Sequence, residues 1–371
     1  MSESVLVVGG GLVGALIALR LAEAGLPVRV LDRDHPGAES SSAGAGILAA
    51  QSEAIESGPI LELGLASRAL HATLNQELIG LTGGGSGYRQ NGTLIPTTEG
   101  DHADHLAAHL WQRTRGLRLE SLDASATRAL APGLHARFTS GVFFPEDASV
   151  DPPKLMASAI EAAARKGVQF EHGATVREVM QSSGRVTGVR TDHATRSAEV
   201  VVLCAGAWSE QVAGALDDSQ QIRPARGQLA ELALSPVPFG PVLFAGGGYL
   251  LPRSDGRVCV GSTMEMVGFA RGTTAAGIRT LLDRAIDAVP ALGDAEVTRT
   301  WSSFRPRSPD GLPFVGGLGV HGLYVAAGHH RSGILLAPIT AEIVRDLIVD
   351  GRRHRLLDAI APERFRKHRP G

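Results

Sequence analysis

Two short stretches, Val5-Leu-Val-Val-Gly-Gly-Gly-Leu-Val-Gly14 and Val28-Arg-Val-Leu-Asp32, decide the fold of this chain. The first is a β-branched run that enters glycines spaced G-x-G-x-x-G, and an apolar helical run joins it to the second. Asp32 stands eighteen residues after Gly14. Because a strand, a glycine turn, a helix, a second strand and an acid in this order form a dinucleotide-binding βαβ unit, we predict such a unit over residues 5–32.

Each glycine has its own task in this prediction. Gly9 allows the sharp turn from strand to helix, Gly11 removes the Cβ that would block a pyrophosphate, and Gly14 lets the helix lie close to the strand. The free N–H groups of the helix start face the phosphates, and the acid accepts both hydroxyls of an adenosine ribose. The nucleotide-binding residues predicted in this unit are Gly9, Gly11, Leu12, Val13, Gly14, Asp32 and Arg33.

Length and composition narrow the class of protein. The 371 residues are enough for two or three domains, and a net charge of −2 gives no basis for binding nucleic acid or an anionic membrane. Cys204 and Cys259 each lie in an apolar run, which predicts packed thiols in a reducing compartment rather than a disulfide or a metal site. No apolar stretch reaches the length of a membrane span. We therefore expect a cytoplasmic location.

Three further segments give local expectations. The small residues of 36–46 suit a segment that passes close to a flat ligand, although a serine-glycine linker is the alternative. Residues 184–191 and 198–204 alternate like the two strands of a hairpin. A final helix is predicted over 334–349, where Pro338 is compatible only with the first turn.

Several separated segments together resemble one family. They include Ala43-Gly-Ala-Gly-Ile-Leu-Ala-Ala-Gln-Ser52, Gly206-Ala-Trp-Ser209, Phe304-Arg-Pro306 and the run 328–338, in addition to residues 5–32. Shorter matching pieces are 224–228, 249–253, 261–264 and 309–311. The chain resembles the glycine oxidase branch of the D-amino-acid oxidase family of FAD-dependent oxidoreductases over nearly its whole length.

The resemblance implies an α/β fold with two domains. A Rossmann-like FAD-binding domain is expected from the discontinuous segments 1–82, 144–225 and 299–371. A substrate-binding domain with a large mixed β-sheet is expected from 83–143 and 226–298. The FAD would be noncovalent, and a homo-oligomer is expected.

The activity that the resemblance implies is oxidative deamination. Hydride transfer from the Cα of glycine, or of another small amino acid such as sarcosine or a D-amino acid, gives an imino acid. Water then releases a keto acid, glyoxylate from glycine, and ammonia, while dioxygen becomes hydrogen peroxide. The branch includes the enzyme that supplies the glycine imine for the thiazole of thiamine, so a thiazole synthase is a further candidate partner.

The resemblance also assigns the substrate site. Arg305 is the predicted carboxylate-binding residue, because a guanidinium can grip a carboxylate with two parallel bonds, and Tyr249 adds a hydroxyl. Arg331 is a second arginine that either reaches the carboxylate or lines the edge of the pocket. Met264 and His330 are assigned to the pocket wall. The alternative for Arg305 is a surface arginine near a turn, and the alternative for Tyr249 is a tyrosine packed in a sheet. The alternative for Met264 is an ordinary core residue.

The remaining cofactor contacts are also carried by the resemblance. The helix that begins near Gly333 is expected to stabilise negative charge on the reduced flavin with its free N–H groups. No side-chain base is expected, and His329 is predicted to be structural. The further cofactor-binding residues are Ser41, Ser42, Ala43, Ala45, Gly46, Ile47, Val176, Ala205, Gly206, Trp208, Gly328, His330, Arg331, Ser332, Gly333 and Ile334.

Alternatives remain open at this stage. A dehydrogenase of the same family that uses a quinone or another carrier would have nearly the same sequence, whereas a covalent flavin is disfavoured because no cysteine follows Cys259. A nicotinamide-dependent dehydrogenase explains only the first motif, and a nucleotide-binding protein without catalysis leaves Arg305 without a task. Ser332, His330 and Gly246-Gly-Gly248 depart from the family pattern, so the preferred amino acid stays undecided.

Overall fold

The computed structural model describes residues 4–365. The helices are α1 (Leu12–Glu23), α2 (Ser40–Ala43), α3 (Pro59–Thr82), α4 (His102–Leu110), α5 (Ala124–Leu130), α6 (Pro152–Arg165), α7 (Ala275–Ala288), α8 (Gly333–Arg345) and α9 (Leu357–Ile360). The first strands are β1 (Val5–Val8), β2 (Val28–Leu31), β3 (Ile47–Leu48), β4 (Thr93–Thr97), β5 (Glu120–Leu122), β6 (Ser140–Phe144), β7 (Ala148–Ser149), β8 (Gln169–Glu171), β9 (Val176–Ser182) and β10 (Arg185–Thr191). The later strands are β11 (Thr195–Ser197), β12 (Val200–Leu203), β13 (Arg223–Ala233), β14 (Val242–Ala245), β15 (Gly248–Pro252), β16 (Arg257–Gly261), β17 (Glu296–Arg307), β18 (Phe314–Gly317) and β19 (Leu323–Ala327).

A six-stranded sheet in the order β18-β19-β12-β1-β2-β8 forms the first part of the fold. All adjacent strands in this sheet pair in parallel, except that β18 runs antiparallel to β19. On one face the sheet packs against α1, α6 and α8, and on the other against the small sheet β11-β10-β9. This doubly covered parallel sheet is the predicted Rossmann-like architecture.

The glycine turn is a steric requirement of this sheet. Gly9 has φ of +108°, and a Cβ there would lie 2.8 Å from the carbonyl carbon of Cys204, the residue directly after the neighbouring strand β12. A Cβ on Gly14 would overlap the carbonyl oxygen of Gly9 itself. Helix α1 can therefore lie against β1 only because both positions lack a side chain.

An eight-stranded mixed sheet in the order β17-β13-β16-β15-β14-β4-β6-β5 forms the second part of the fold. Its long antiparallel pair β13 and β17 sets Ala225 opposite Arg305 and Gly227 opposite Ser303. Strand β15 sets Tyr249 opposite Gly261 of β16. The register thus brings the predicted arginine and tyrosine to one end of the sheet, while α7 covers a face. The exact division of the chain into two domains stays a prediction.

Two local predictions are wrong. Strands β10 and β12 do not pair as a hairpin, because β10 pairs with β9 and β11 whereas β12 lies between β1 and β19. The final helix begins near its predicted start, but Pro338 lies in its interior instead of its first turn. Beyond Arg345 the chain continues as a short π-helical segment to Asp350.

Residues 4–365 contain neither a helix that could span a membrane nor a cluster of metal-binding side chains. No helix in this range has the length and apolar character that crossing a bilayer requires. In the same range, no group of three or more His, Cys, Asp or Glu side chains is placed to hold a metal ion.

Candidate active site

A cavity of about 460 Å³ lies between the carboxyl ends of the parallel strands and the large sheet. One end is lined by the glycine turn after β1, the middle by the small-residue segment around α2, and the other end by β15, β17 and the start of α8. A crevice at the carboxyl ends of parallel strands is where open α/β sheets bind their ligands.

The glycine turn fits a pyrophosphate. Gly9 and Gly11 line the cavity, and a Cβ on Gly11 would lie 2.9 Å from Ser41 Oγ and narrow the space in front of α1. The Leu12 N–H donates to Ser41 Oγ at 2.8 Å, so the helix start already uses a polar partner from the cavity wall. Gly14 lies behind this surface and acts through packing, as its predicted task requires.

Asp32 lies where an adenosine ribose is predicted. Its Oδ2 accepts the Gly10 N–H at 2.6 Å and its Oδ1 accepts the Asp34 N–H at 2.9 Å. Burial raises the pKa of this carboxyl, although the two backbone hydrogen bonds and Arg33 oppose that effect. Each oxygen retains a second lone pair, which leaves acceptors for hydroxyl groups.

Arg33 and Trp208 form the wall beside this carboxylate. The Arg33 guanidinium lies 3.7 Å from the centre of the Trp208 ring, and it pairs with Glu39 at 2.7 Å. Arg271, from the loop before α7, pairs with the same glutamate at 2.5 Å. One carboxylate therefore ties the nucleotide end of the cavity to the large sheet.

The start of α8 forms a wall at the other end. Ser332, Gly333 and Ile334 line the cavity, and the N-cap Ser332 makes no side-chain capping hydrogen bond. The first N–H groups of the helix therefore keep their donor capacity and positive dipole end at the cavity. This arrangement suits a ligand that gains negative charge.

Arg305 is the cation at the substrate end. Its Nη2 donates to Ser262 Oγ at 2.6 Å and its Nη1 donates to the Thr263 carbonyl at 3.1 Å. Among residues 4–365, no carboxylate lies within ion-pair distance of this side chain. Burial lowers its pKa, and Tyr249 partly compensates. A partly buried guanidinium without a counter-ion, on the wall of a cavity, is a site for an anionic ligand.

Tyr249 lines the same space as Arg305 and Ser262, and it interacts electrostatically with the guanidinium. Burial raises the pKa of its phenol, so the hydroxyl stays protonated and can donate. Two glycines make room for the pair. A Cβ on Gly227 would lie 2.5 Å from Arg305 Nη2, and one on Gly261 would lie 2.6 Å from Tyr249 Cε2.

Arg331 lies at the rim. Its Nη2 pairs with Glu53 at 2.7 Å, and its side chain is 52 % exposed. Both residues line the cavity, so the structure places the second arginine at the edge of the pocket, tied to a carboxylate. Met264 does not line the cavity and is 46 % exposed, because it follows β16 in a loop that turns away from the space.

The two adjacent histidines differ in position. His329 is a buried residue of the wall, its Nε2 lies 3.1 Å from Thr340 Oγ1, and burial lowers its pKa to about 4. His330 lines the cavity with φ of +47°, and its Nε2 is buried without a hydrogen-bond partner in the described part of the chain. Burial, together with Arg305 and Arg331, lowers its pKa to about 4 as well. Both imidazoles are neutral near pH 7.

Most of the predicted cofactor residues line one cavity. Four predicted residues do not: Gly14, Ser42, Gly328 and Met264. The wall also contains residues that were not predicted from the sequence, among them Glu53, Gly227 and Ser262. Gly227 and Ser262 lie within segments that carry the resemblance, which was the available signal, whereas no pattern distinguishes Glu53.

The chain is similar to several known proteins over most of its length. The family model described as DAO, FAD dependent oxidoreductase, matches residues 4–347. The glycine oxidase of Geobacillus kaustophilus is 36% identical over 93% of this chain and 92% of its own length. A crystal structure of glycine oxidase from that organism superposes with a TM-score of 0.92, at 32% identity and with 100% of each chain covered.

The bifunctional protein ThiO/ThiG of Synechocystis is 39% identical over 98% of this chain. The match covers 54% of that relative, so the chain spans about half the length of the bifunctional proteins it resembles.

Proposed function

The chain belongs to the DAO family of FAD-dependent oxidoreductases, and on that premise we propose that it oxidises glycine or another small amino acid, such as sarcosine or a D-amino acid, with dioxygen as the final acceptor. The observation that carries the proposal is the partly buried guanidinium of Arg305. It lacks a carboxylate partner within residues 4–365 and shares one cavity with the glycine turn of a nucleotide site. Bound FAD supplies the acceptor for the hydride of the substrate Cα and is reoxidised by dioxygen to give hydrogen peroxide.

The protein contributes binding and orientation. Arg305 and Tyr249 hold the substrate carboxylate, while Ser262 and the Thr263 carbonyl fix the guanidinium plane. A carboxylate held by two parallel bonds fixes the position of the Cα, which turns a loose encounter into an oriented one. Arg331 contributes positive charge at the rim while it remains paired with Glu53.

Proton transfer needs no dedicated side-chain base in this proposal. Glu53 is paired with Arg331, and the Nε2 of buried His329 is engaged by Thr340. His330 faces the cavity as a neutral imidazole. The substrate therefore reacts once its amine has lost a proton to solvent, and the imino acid is then hydrolysed to a keto acid and ammonia.

We also propose that glycine imine is delivered to a thiazole synthase in thiamine synthesis, in the cytoplasm and from a homo-oligomer. Support for the thiamine role comes from the similarity to proteins named ThiO/ThiG. Support for the compartment comes from Cys204 and Cys259, which are buried free thiols.

The test is an anaerobic titration of the purified yellow protein with glycine, sarcosine and a panel of D- and L-amino acids, followed by air. We expect bleaching by glycine or a small D-amino acid, and return of the colour with hydrogen peroxide in air. Bleaching without rapid return would indicate a dehydrogenase that uses another carrier. A protein that no amino acid bleaches would contradict the proposed function. An Arg305→Met variant is the matched negative control, because it retains the cofactor end of the cavity.

A further inference from the structure

Pro338 leaves a gap in the hydrogen bonds of α8. It is the sixth residue of the helix and has no N–H, so the Ile334 carbonyl loses the donor that an α-helix normally supplies four residues later. Ile334 lies in the first turn, on the cavity wall. The gap therefore lies directly behind the N–H groups that face the ligand.

Two side chains of α3 bond to the backbone groups on either side of Pro338, and His71 supplies the missing donor. His71 Nε2 lies 3.1 Å from the Ile334 carbonyl and 3.1 Å from the Leu335 carbonyl. One turn earlier on α3, Ser67 Oγ accepts the Ile339 N–H at 3.2 Å. Helix α3 thus bonds to α8 on both sides of the proline.

The chemistry of His71 fits this task. Both partners of Nε2 are carbonyls, which only accept, so Nε2 carries the proton. Burial lowers the pKa of the ring to about 4, and the imidazole is neutral near pH 7. Its Nδ1 is buried without a partner in the described part of the chain. An apolar residue would avoid that orphaned nitrogen, so packing alone does not account for a histidine here.

The helix start lies near the substrate-binding group. His330 and Arg331, just before α8, interact electrostatically with Arg305. The part of the cofactor that reacts with substrate must lie near Arg305, so the positive end of α8 acts on that part. We propose that His71, with Ser67, is a positioning residue for the cofactor: it joins α8 across Pro338 and holds its first turn in the orientation that stabilises the reduced flavin.

This inference rests on the proposed binding of FAD in the cavity but not on the identity of the substrate. Its test uses four holoenzymes: the parent, His71→Leu, Pro338→Ala and the double variant. His71→Leu removes the donor, whereas Pro338→Ala returns a backbone N–H to the Ile334 carbonyl. The readouts are the midpoint potential of the bound flavin, measured by chemical reduction against a reference dye, and the midpoint of thermal unfolding. Neither readout requires an amino-acid substrate.

We expect His71→Leu to weaken the preference for reduced over oxidised flavin about tenfold, which for a two-electron couple is ~30 mV. Pro338→Ala alone should leave the potential unchanged, and in the double variant it should restore at least half of the loss. Leu78→Ala is the control, because Leu78 is a fully buried α3 residue outside this hydrogen-bonded set. It should lower the unfolding midpoint without moving the potential.

Two results would overturn the proposal. One is a His71→Leu protein with a lower unfolding midpoint and an unchanged potential, as in the Leu78→Ala control. The other is a shifted potential that Pro338→Ala does not restore. Should His71→Leu fail to fold, Ser67→Ala removes only the acceptor of the Ile339 N–H. We expect it to shift the potential in the same direction by a smaller amount, and no shift would refute the proposal.

Discussion

Gly227→Ala tests the substrate end of the cavity without touching Arg305 itself. The added Cβ would lie 2.5 Å from Arg305 Nη2 and 2.6 Å from Cζ, and closer still to Nη1. Ordinary van der Waals contact begins near 3.4 Å, so the guanidinium must retreat by about 1 Å. Because the obstructing atoms are the far end of a flexible side chain, the strand can keep its pairing while the charged group moves.

The size of the effect follows from that displacement. A shift of about 1 Å in a positioning group costs on the order of 10²-fold in rate. Loss of one of two charge-assisted hydrogen bonds costs about 1.5–3 kcal/mol, which corresponds to roughly 10- to 150-fold. We therefore expect kcat/KM for the best amino acid to fall about 10- to 100-fold, with a clear rise in KM.

Peroxide-coupled steady-state kinetics measure this change, with flavin content and the unfolding midpoint recorded for the same samples. Gly317→Ala is the matched control, because Gly317 is also a strand glycine and its added Cβ meets nothing closer than 4.0 Å. It should leave the kinetics unaltered. If Gly227→Ala retains full flavin and a kcat/KM within threefold of the parent, Arg305 does not hold the substrate carboxylate.

Three further outcomes are expected. Glu53→Gln breaks the ion pair with Arg331 at the rim of the cavity. Because exposed ion pairs contribute about 0–1 kcal/mol, steady-state kinetics should show a change in kcat/KM of no more than about fivefold. A hundredfold loss would make Glu53 part of the catalytic machinery. His330→Ala should retain flavin reduction within about tenfold in anaerobic stopped flow, and a variant with no reduction would overturn the base-free mechanism. The free energy of unfolding should fall as the pH drops from about 6.5 to about 4, since the pKa values of buried His71 and His329 are lowered to about 4 and the unfolded chain then binds more protons. Denaturant titrations across this range should show a shallower fall for His329→Gln, and an identical fall would contradict the assignment.

The nucleotide end of the site was predictable because its requirements are local. Gly9, Gly11 and Asp32 are fixed by one strand-turn-helix-strand unit, and that unit is continuous in the sequence. Arg305 and Tyr249 came from the resemblance, and the sheet register places them on the same wall. Their roles in binding substrate remain proposals.

The features that could not be predicted from the sequence depend on contacts between residues that are far apart in the chain. Gly227 matters only because antiparallel pairing lays the Arg305 side chain over it. Pro338 fits the helix interior because α3 supplies replacement hydrogen bonds. The sequence already argued against the predicted hairpin, because all four residues of Val200–Leu203 are apolar. A run of this kind is typical of a central parallel strand rather than of a strand with alternating polarity.

The two ends of the cavity are formed by segments that are far apart in the sequence and are therefore synthesised at different times. The glycine turn is made long before α8, which packs on α1 and completes the wall. A ribosome-bound chain that has not yet exposed α8 lacks one wall of the ligand site. The βαβ unit therefore emerges before the cavity that it helps to form is complete. We expect the cofactor to be captured only after α8 has left the ribosome. Stalled chains ending before Gly333 should therefore bind no FAD, while chains held on the ribosome by an added C-terminal extension long enough to bring α8 out of the exit tunnel should bind it.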